Sequence, residues 1–265
     1  GDHIYKMDYS KMLSEHIANK ADCTIAVLDV PPEEAPRFGI LDYDDKNRIR
    51  SFEEKPKKPK SNHASMGIYI FKKDVLVKAL IDDENDPAWS NDFGKNIIPK
   101  MIADKMAVYA YMFSGYWKDV GTVTSLWEAN MDLLGEHPLV NLNDSSFKIY
   151  SRNQALPPSY IGESGHIENS IMTAGCEVYG TVVNSVLGEA VTVGKGAVVK
   201  DSVIMRGTVI GEGAVVKFGM IDENCTIENK CVIGDDTSDK NHIALIGRGR
   251  TLAPGTVVKP GEIID

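Results

Sequence analysis

The sequence has few cysteines, no paired-cysteine motif, no long apolar run and a deficit of positive charge. Its four cysteines, Cys23, Cys176, Cys225 and Cys231, include no C-x-x-C pair. That spacing excludes a zinc knuckle and offers no disulfide framework, so a reducing compartment, the cytoplasm, is the expected location. No apolar stretch approaches the roughly 18–20 residues that cross a bilayer, and no basic-then-apolar leader opens the chain. Lys+Arg is 29 against Asp+Glu 38, a formal charge of −9, and a field of that sign repels phosphate backbones and anionic lipid. Neither nucleic acid nor a membrane is an expected partner. What is present, 265 residues that are 43% hydrophobic and 25% charged, has globular composition with room for one large domain or two ordinary ones.

Two rhythms divide the chain. Up to about Leu134 strand-like and helix-like segments alternate, as in an α/β fold. Tyr9, Met12, Leu13, His16 and Ile17 recur at helical spacing after a capping Asp8, and Cys23 to Val30 reads as a buried strand. Further strands are expected at Phe38 to Tyr43, Ile49 to Glu54, Met66 to Phe71 and Val108 to Met112. Helices are expected around Val75 to Ile81, Lys95 to Met101 and Val123 to Leu134, the last stopped by Gly135. Residues 135–159 carry Pro138, Pro157 and Pro158 without a period and read as a connector. In the final third Val191, Ala197, Val203, Val209, Val215, Ile221, Ile227 and Ile233 share a phase of six, and Gly194, Gly211 and Gly234 each follow an apolar residue. That pattern is the signature of a parallel β-helix, with the in-phase residues expected to point inward. From Ile161 to Glu189 the phase is broken, so shifted or irregular coils are expected there. The expected division is 1–134, 135–159 and 160–265.

Chemistry-bearing residues cluster in the first half, and each cluster has a plain reading beside the functional one. Asp2, before His3, stands where a strand hands over to a helix, the end at which α/β sheets bind ligands, or it is a turn residue. Lys55, between Glu54 and Pro56 at a strand exit, offers a point charge to a phosphate, with Glu54 as a hydroxyl acceptor. With Lys57, Lys58 and Lys60 following, it reads equally as a solvated basic loop. Ser65 and Gly67 open a strand that contains Tyr69, and Asp92-Phe93-Gly94 suits either a binding loop or a helix cap. Tyr116-Trp117-Lys118-Asp119-Val120-Gly121-Thr122 concentrates two aromatics, a cation and a carboxylate in one connection. Asp119 and Asp2 are together suited to one hard divalent cation.

Taken in order, Gly1-Asp2-His3-Ile4-Tyr5, Phe52-Glu53-Glu54-Lys55-Pro56, Ala64-Ser65-Met66-Gly67-Ile68-Tyr69, Asn91-Asp92-Phe93-Gly94-Lys95 and Tyr116 to Thr122 resemble the glucose-1-phosphate adenylyltransferases of bacterial glycogen synthesis. The resemblance extends over the hexapeptide tail. It implies an incomplete Rossmann-like nucleotidyltransferase domain followed by a left-handed parallel β-helix. The implied reaction is formation of ADP-glucose and pyrophosphate from ATP and glucose 1-phosphate. The resemblance further implies that Asp2 and Asp119 hold Mg²⁺, and that Lys55 grips the sugar phosphate. Glu54, Ser65, Tyr69, Asp92, Phe93 and Trp117 would line the sugar pocket, with Glu54 and Asp92 accepting from hydroxyls. Asp2 and Asp119 are expected to face one another across a shared cleft floored by Lys55. The family is typically tetrameric and under effector control, for which Arg248 and Arg250 are candidates beside a merely solvating role.

One departure is large. Family members carry a Gly-rich loop and following Arg that wrap the triphosphate, well before the Gly-Asp-His motif, and no segment here reads as such a phosphate cradle. The chain is therefore expected not to form ADP-glucose by itself, as a truncated chain, a proteolytic product or the product of a broken gene. A different reaction class, a hexapeptide-repeat acyltransferase, would need a catalytic histidine from the tail, which offers His166 and His242. His242 adjoins the polar stretch Asp235 to Asn241 and suits a solvated loop. A noncatalytic regulatory or assembly subunit is the third reading.

Overall fold

The computed structural model describes residues 2–87, 90–151, 154–237 and 239–265. Gly1 of the Gly-Asp-His motif and residues 152–153 of the expected connector lie outside them. Contacts divide the chain into two compact units, residues 6–115 and residues 1–5 with 116–265.

The elements that precede the β-helix are, in chain order, β1 (His3–Tyr5), α1 (Tyr9–Ala18), β2 (Cys23–Asp29), β3 (Gly39–Tyr43), β4 (Ile49–Glu54), β5 (His63–Phe71), α2 (Lys73–Glu84), α3 (Ile98–Ala103), β6 (Val108–Met112), β7 (Trp117–Asp119) and α4 (Val123–Met131). In the 6–115 unit a five-stranded mixed sheet runs β4-β3-β5-β2-β6. β2 pairs parallel with β6 and antiparallel with β5. The apolar run of β2 is buried on both faces, with Cys23, Ile25, Ala26 and Val27 fully covered, as a central strand requires. Asp8 caps α1 by accepting from the Ser10 N–H at 3.0 Å. The helix expected from Lys95 opens instead as a π-turn over Phe93–Ile97 before continuing as α3.

α1 buries Met12 and His16. The His16 Nδ1 lies 2.8 Å from the Thr24 hydroxyl, and burial, followed by the charge of Lys72, holds its pKa below the ordinary 6.5 against the opposing pull of Asp22. Below pH 6.5 the unfolded chain takes up a proton that the folded chain resists, so stability falls as pH drops from there toward the folded-state value. Urea midpoints measured at pH 7.5, 6.5 and 5.5 should decline over that window, and His16→Gln should flatten the decline. An unchanged slope in the variant would remove His16 as its source.

In the other unit the hexapeptide segment winds as a left-handed parallel β-helix of three six-stranded sheets. Its axis is filled by a column of Val, Ile and Leu side chains with the thiols of Cys176, Cys225 and Cys231. The strict phase of six is corrected by the structure. The stacked inward residues are Val193, Val199, Ile204, Ile210, Val216, Ile221, Ile227 and Ile233. One face of each of these coils has five residues, so a coil has 17 rather than 18, and Val209 is 40% exposed while Ile210 is fully buried. Gly194 and Gly211 directly follow inward residues; a Cβ there would meet backbone of the next coil at 2.9 and 2.7 Å. Between Val178 and Val182 a face of four shortens the coil to 15 residues, which accounts for the broken phase before Val191. Small hydroxyls bridge the coils: Ser185 N–H donates to the Ser170 hydroxyl, Ser202 N–H to Ser185 and Gly219 N–H to Ser202, at 3.0, 3.1 and 3.0 Å. Ile210→Ala should cost about 3 kcal/mol through lost burial and a cavity, and Val209→Ala under about 1 kcal/mol, by urea denaturation. Equal costs would refute this register.

Candidate functional site

In the β-helix-containing unit, β1 and β7 form a two-stranded antiparallel ribbon with His3 opposite Asp119, Ile4 opposite Lys118 and Tyr5 opposite Trp117. The ladder continues one step further, where the Val120 N–H donates to the Asp2 carbonyl at 3.0 Å. Asp2 and Asp119, remote in sequence, therefore occupy neighbouring positions on facing segments at one end of the ribbon. The His3 ring packs against the Trp117 indole with centroids 5.2 Å apart.

Strand alternation gives Lys118 the face opposite Trp117 and Asp119, and its partners lie on and just after α4. The Lys118 ammonium is 2.6 Å from Asp132 Oδ2 and 3.7 Å from Glu128 Oε2. The Tyr116 hydroxyl donates to the same Asp132 oxygen at 2.7 Å; burial first, then that carboxylate, pushes the Tyr116 pKa well above its usual value. Immediately after the site loop Thr122 and Ser125 form a reciprocal capping box, each hydroxyl accepting from the other's N–H at 3.1 Å, which fixes where α4 begins.

In the 6–115 unit Glu54 ends β4 opposite Gly39. A Cβ on Gly39 would meet the Phe52 ring at 2.4 Å and the Glu54 carboxylate at 3.0 Å, and one on Gly94 would meet that carboxylate at 2.5 Å. Gly94 thus lies against the Glu54 carboxylate, and Gly39 chiefly against the Phe52 ring, with that carboxylate beside it. Sequence reasoning missed Gly39, whose only signal is a glycine heading an apolar strand. Lys55 follows with φ +45, the left-handed region that a side chain disfavours. Its N–H is anchored on the Phe38 carbonyl at 3.1 Å, and its ammonium, 67% exposed, stands 3.8 Å from Glu54.

Asp92 accepts from the N–H groups of Gly94 and Lys95 at 2.8 and 3.0 Å, and its other oxygen pairs with the Lys95 ammonium at 3.3 Å. Burial would raise its pKa, but these bonds from Lys95 and Gly94 outweigh burial and hold the carboxyl below its ordinary value. Phe93 stacks on Tyr69 with centroids 5.7 Å apart. Burial raises the Tyr69 pKa against the pull of the Ser65 hydroxyl, with Glu54 and Asp92 among the charges that add to the rise. Ser65, Tyr69, Phe93, Asp92 and Glu54 therefore share one neighbourhood, a tyrosine and phenylalanine wall beside two carboxylates. Trp117 belongs to the other unit, beside Asp119.

His166 and His242 are both exposed; each lies near an acidic residue of its own segment, Glu168 at 3.7 Å and Asp239 at 2.9 Å. Among the described residues no helix is long and apolar enough to cross a membrane.

Comparison with known proteins follows the same division of sequence. Residues 1–136 match the nucleotidyl transferase family and residues 158–252 the GlmU-like C-terminal hexapeptide family. The chain is 57% identical over 201 residues to a glucose-1-phosphate adenylyltransferase of Clostridium perfringens, covering 76% of this chain and 52% of that protein. It is 53% identical over 264 residues to one of Clostridium botulinum, covering 100% of this chain and 67% of the relative. Against one of Geobacillus stearothermophilus the identity is 54% over 200 residues, 76% of this chain and 52% of the relative. The matched region thus spans between about half and two thirds of these relatives' length.

Proposed function

Because the chain belongs to the glucose-1-phosphate adenylyltransferase family of nucleotidyl transferases, we propose that its residues serve the formation of ADP-glucose and pyrophosphate from ATP and glucose 1-phosphate, for glycogen synthesis. What supports this reading is that backbone pairing sets Asp2 and Asp119, 117 positions apart in sequence, at neighbouring positions at one end of the β1–β7 ribbon. In the proposed step a phosphate oxygen of glucose 1-phosphate attacks the α-phosphorus of ATP. The bond to the α,β-bridging oxygen breaks, and pyrophosphate leaves with that electron pair. No side chain forms a covalent bond, so the protein's task is alignment and charge stabilisation.

Two hard carboxylates fit Mg²⁺, which takes one or two from protein and completes its shell with water and substrate phosphates. When bound, Mg²⁺ supplies charge neutralisation and a template for phosphate oxygens. Asp2 and Asp119 are its proposed ligands. In the 6–115 unit Lys55 holds the sugar phosphate as a point charge, Glu54 accepts from sugar hydroxyls, and the Tyr69–Phe93 wall packs against the apolar edge of the ring. The Asp92 carboxylate, already engaged by two N–H groups and Lys95, contributes chiefly by fixing Phe93 and Gly94 beside Glu54. Ser65 sets the Tyr69 hydroxyl.

The 265 residues are proposed to bind glucose 1-phosphate without forming ADP-glucose, since none of their segments suits a triphosphate cradle. The test joins them to the third of the C. botulinum relative that lies outside the match. This chimera should form ADP-glucose from ATP, glucose 1-phosphate and Mg²⁺, whereas the 265 residues should only bind the sugar phosphate by calorimetry. A chimera that folds, binds ATP and releases no pyrophosphate would overturn the reading.

A further inference from the structure

Most coils of the β-helix return after 15 or 17 residues, but Ile233 stacks on Val258, 25 residues on. The eight additional residues fall within an excursion at 235–242, of which 235–237 and 239–242 are described, and Lys240 there reaches α4. The Lys240 ammonium sits 2.7 Å from Glu128 Oε1, and its carbonyl accepts from the Thr124 hydroxyl at 3.1 Å. The second Glu128 oxygen faces Lys118, which bonds Asp132. Charges therefore alternate along one line, Lys240, Glu128, Lys118, Asp132, from the excursion to the middle residue of β7.

The rest of the α4 contact is built into the coils. The Trp127 indole N–H donates to the Asp201 carbonyl at 2.9 Å, and its ring stacks on Phe218 at 5.6 Å. Leu126 and Met131 pack on Val203, Met220 and Ile243. Phe218 has φ +47 at the corner where the two preceding coils place Asn184 and Asp201 at +48 and +49. A bulky residue in that region is strained, and the Trp127 stack is what it gains there.

We propose that the excursion 235–242 positions the Asp119-bearing strand through α4, with Lys240 as the positioning residue. Lys118 alternates with Trp117 and Asp119 on a three-residue strand, so fixing its ammonium fixes the setting of the neighbouring carboxylate. The apolar contacts seat α4, and the ion line sets the strand that precedes it. The mechanical part stands on these contacts alone; the catalytic part rests on the proposed ADP-glucose chemistry.

Amide hydrogen exchange of the 265-residue chain tests the first part with Lys240→Arg, Lys240→Gln and Lys240→Glu. Lys240 is 56% exposed, so these variants keep the core. Exchange of the β1 and β7 amides should rise about threefold in Gln and about tenfold in Glu, whose charge repels Glu128, and stay unchanged in Arg. The β2 and β5 amides should not respond. Changes confined to 235–242 and α4 would overturn the proposal. In the chimera, Gln and Glu should lower kcat in the same order without raising the KM for glucose 1-phosphate, and Arg should restore it. Exchange that shifts in a chimera making no ADP-glucose would sink the proposed function and sustain the positioning. An active chimera whose β7 amides ignore Lys240 would do the reverse.

Discussion

Asn at position 119 is expected to lower the kcat of ADP-glucose formation in the chimera about a thousandfold, with the KM for glucose 1-phosphate within about a factor of three of the original. The amide has the size of the carboxylate but neither its charge nor its appetite for a hard cation. The ribbon survives the change because its register is held by backbone pairing with His3 and by Lys118 on the other face. What is lost is stabilisation that matters as charge redistributes around the transferring phosphoryl group. Raising Mg²⁺ should recover part of the rate. A variant that loses glucose 1-phosphate affinity while retaining kcat would move Asp119 from the reacting centre to the sugar pocket.

Lys55→Ala should weaken glucose 1-phosphate binding to the 265-residue chain about fiftyfold, the worth of a charge-assisted contact, read by calorimetry. The position also carries backbone strain, because φ +45 costs a residue with a Cβ about 1 kcal/mol. Lys55→Gly removes charge and strain together. It should bind as poorly as Lys55→Ala yet be more stable than Lys55→Ala by about 1 kcal/mol in thermal melts. Arg keeps the charge and should retain most of the affinity. Should Ala and Gly both bind normally, the phosphate is held elsewhere and the strained turn serves only the loop.

Much of the first half was legible locally. β4 has the bounds read from Ile49 to Glu54, and Asp8 and Asp92 cap as side-chain oxygens before a helical turn do. β5 begins three residues earlier than its apolar run, at His63, because its pairing with β2 rather than its own hydrophobicity sets the start. The β-helix was visible and its inward register only in part: Val191, Ala197, Ile221, Ile227 and Ile233 lie in the buried column, whereas Val203, Val209 and Val215 do not. Counting by six assumes equal faces, and a face of five turns Val203 and Val209 away from the column while returning Ile221 to it. The trailing glycines carried the true register: Gly194, Gly211 and Gly234 each follow an inward residue. Of the candidate site, the motifs supplied the residues proposed for it, but the partners of Lys118 did not stand out. Asp132 and Glu128 look like ordinary helix-surface acids until the fold brings them to β7.

The unequal coil lengths carry a consequence for how the chain finds its fold. In a stack of identical turns, a strand docked one whole turn out of step would keep almost every aliphatic contact and every hydroxyl bridge, since each layer offers the same pair of sites to the next. A 15-residue turn near one end and a 25-residue turn near the other leave such a slipped arrangement with slack in one place and a shortage of chain in another. The irregularities act as a key that only one alignment fits, so the most repetitive part of the molecule is numbered turn by turn.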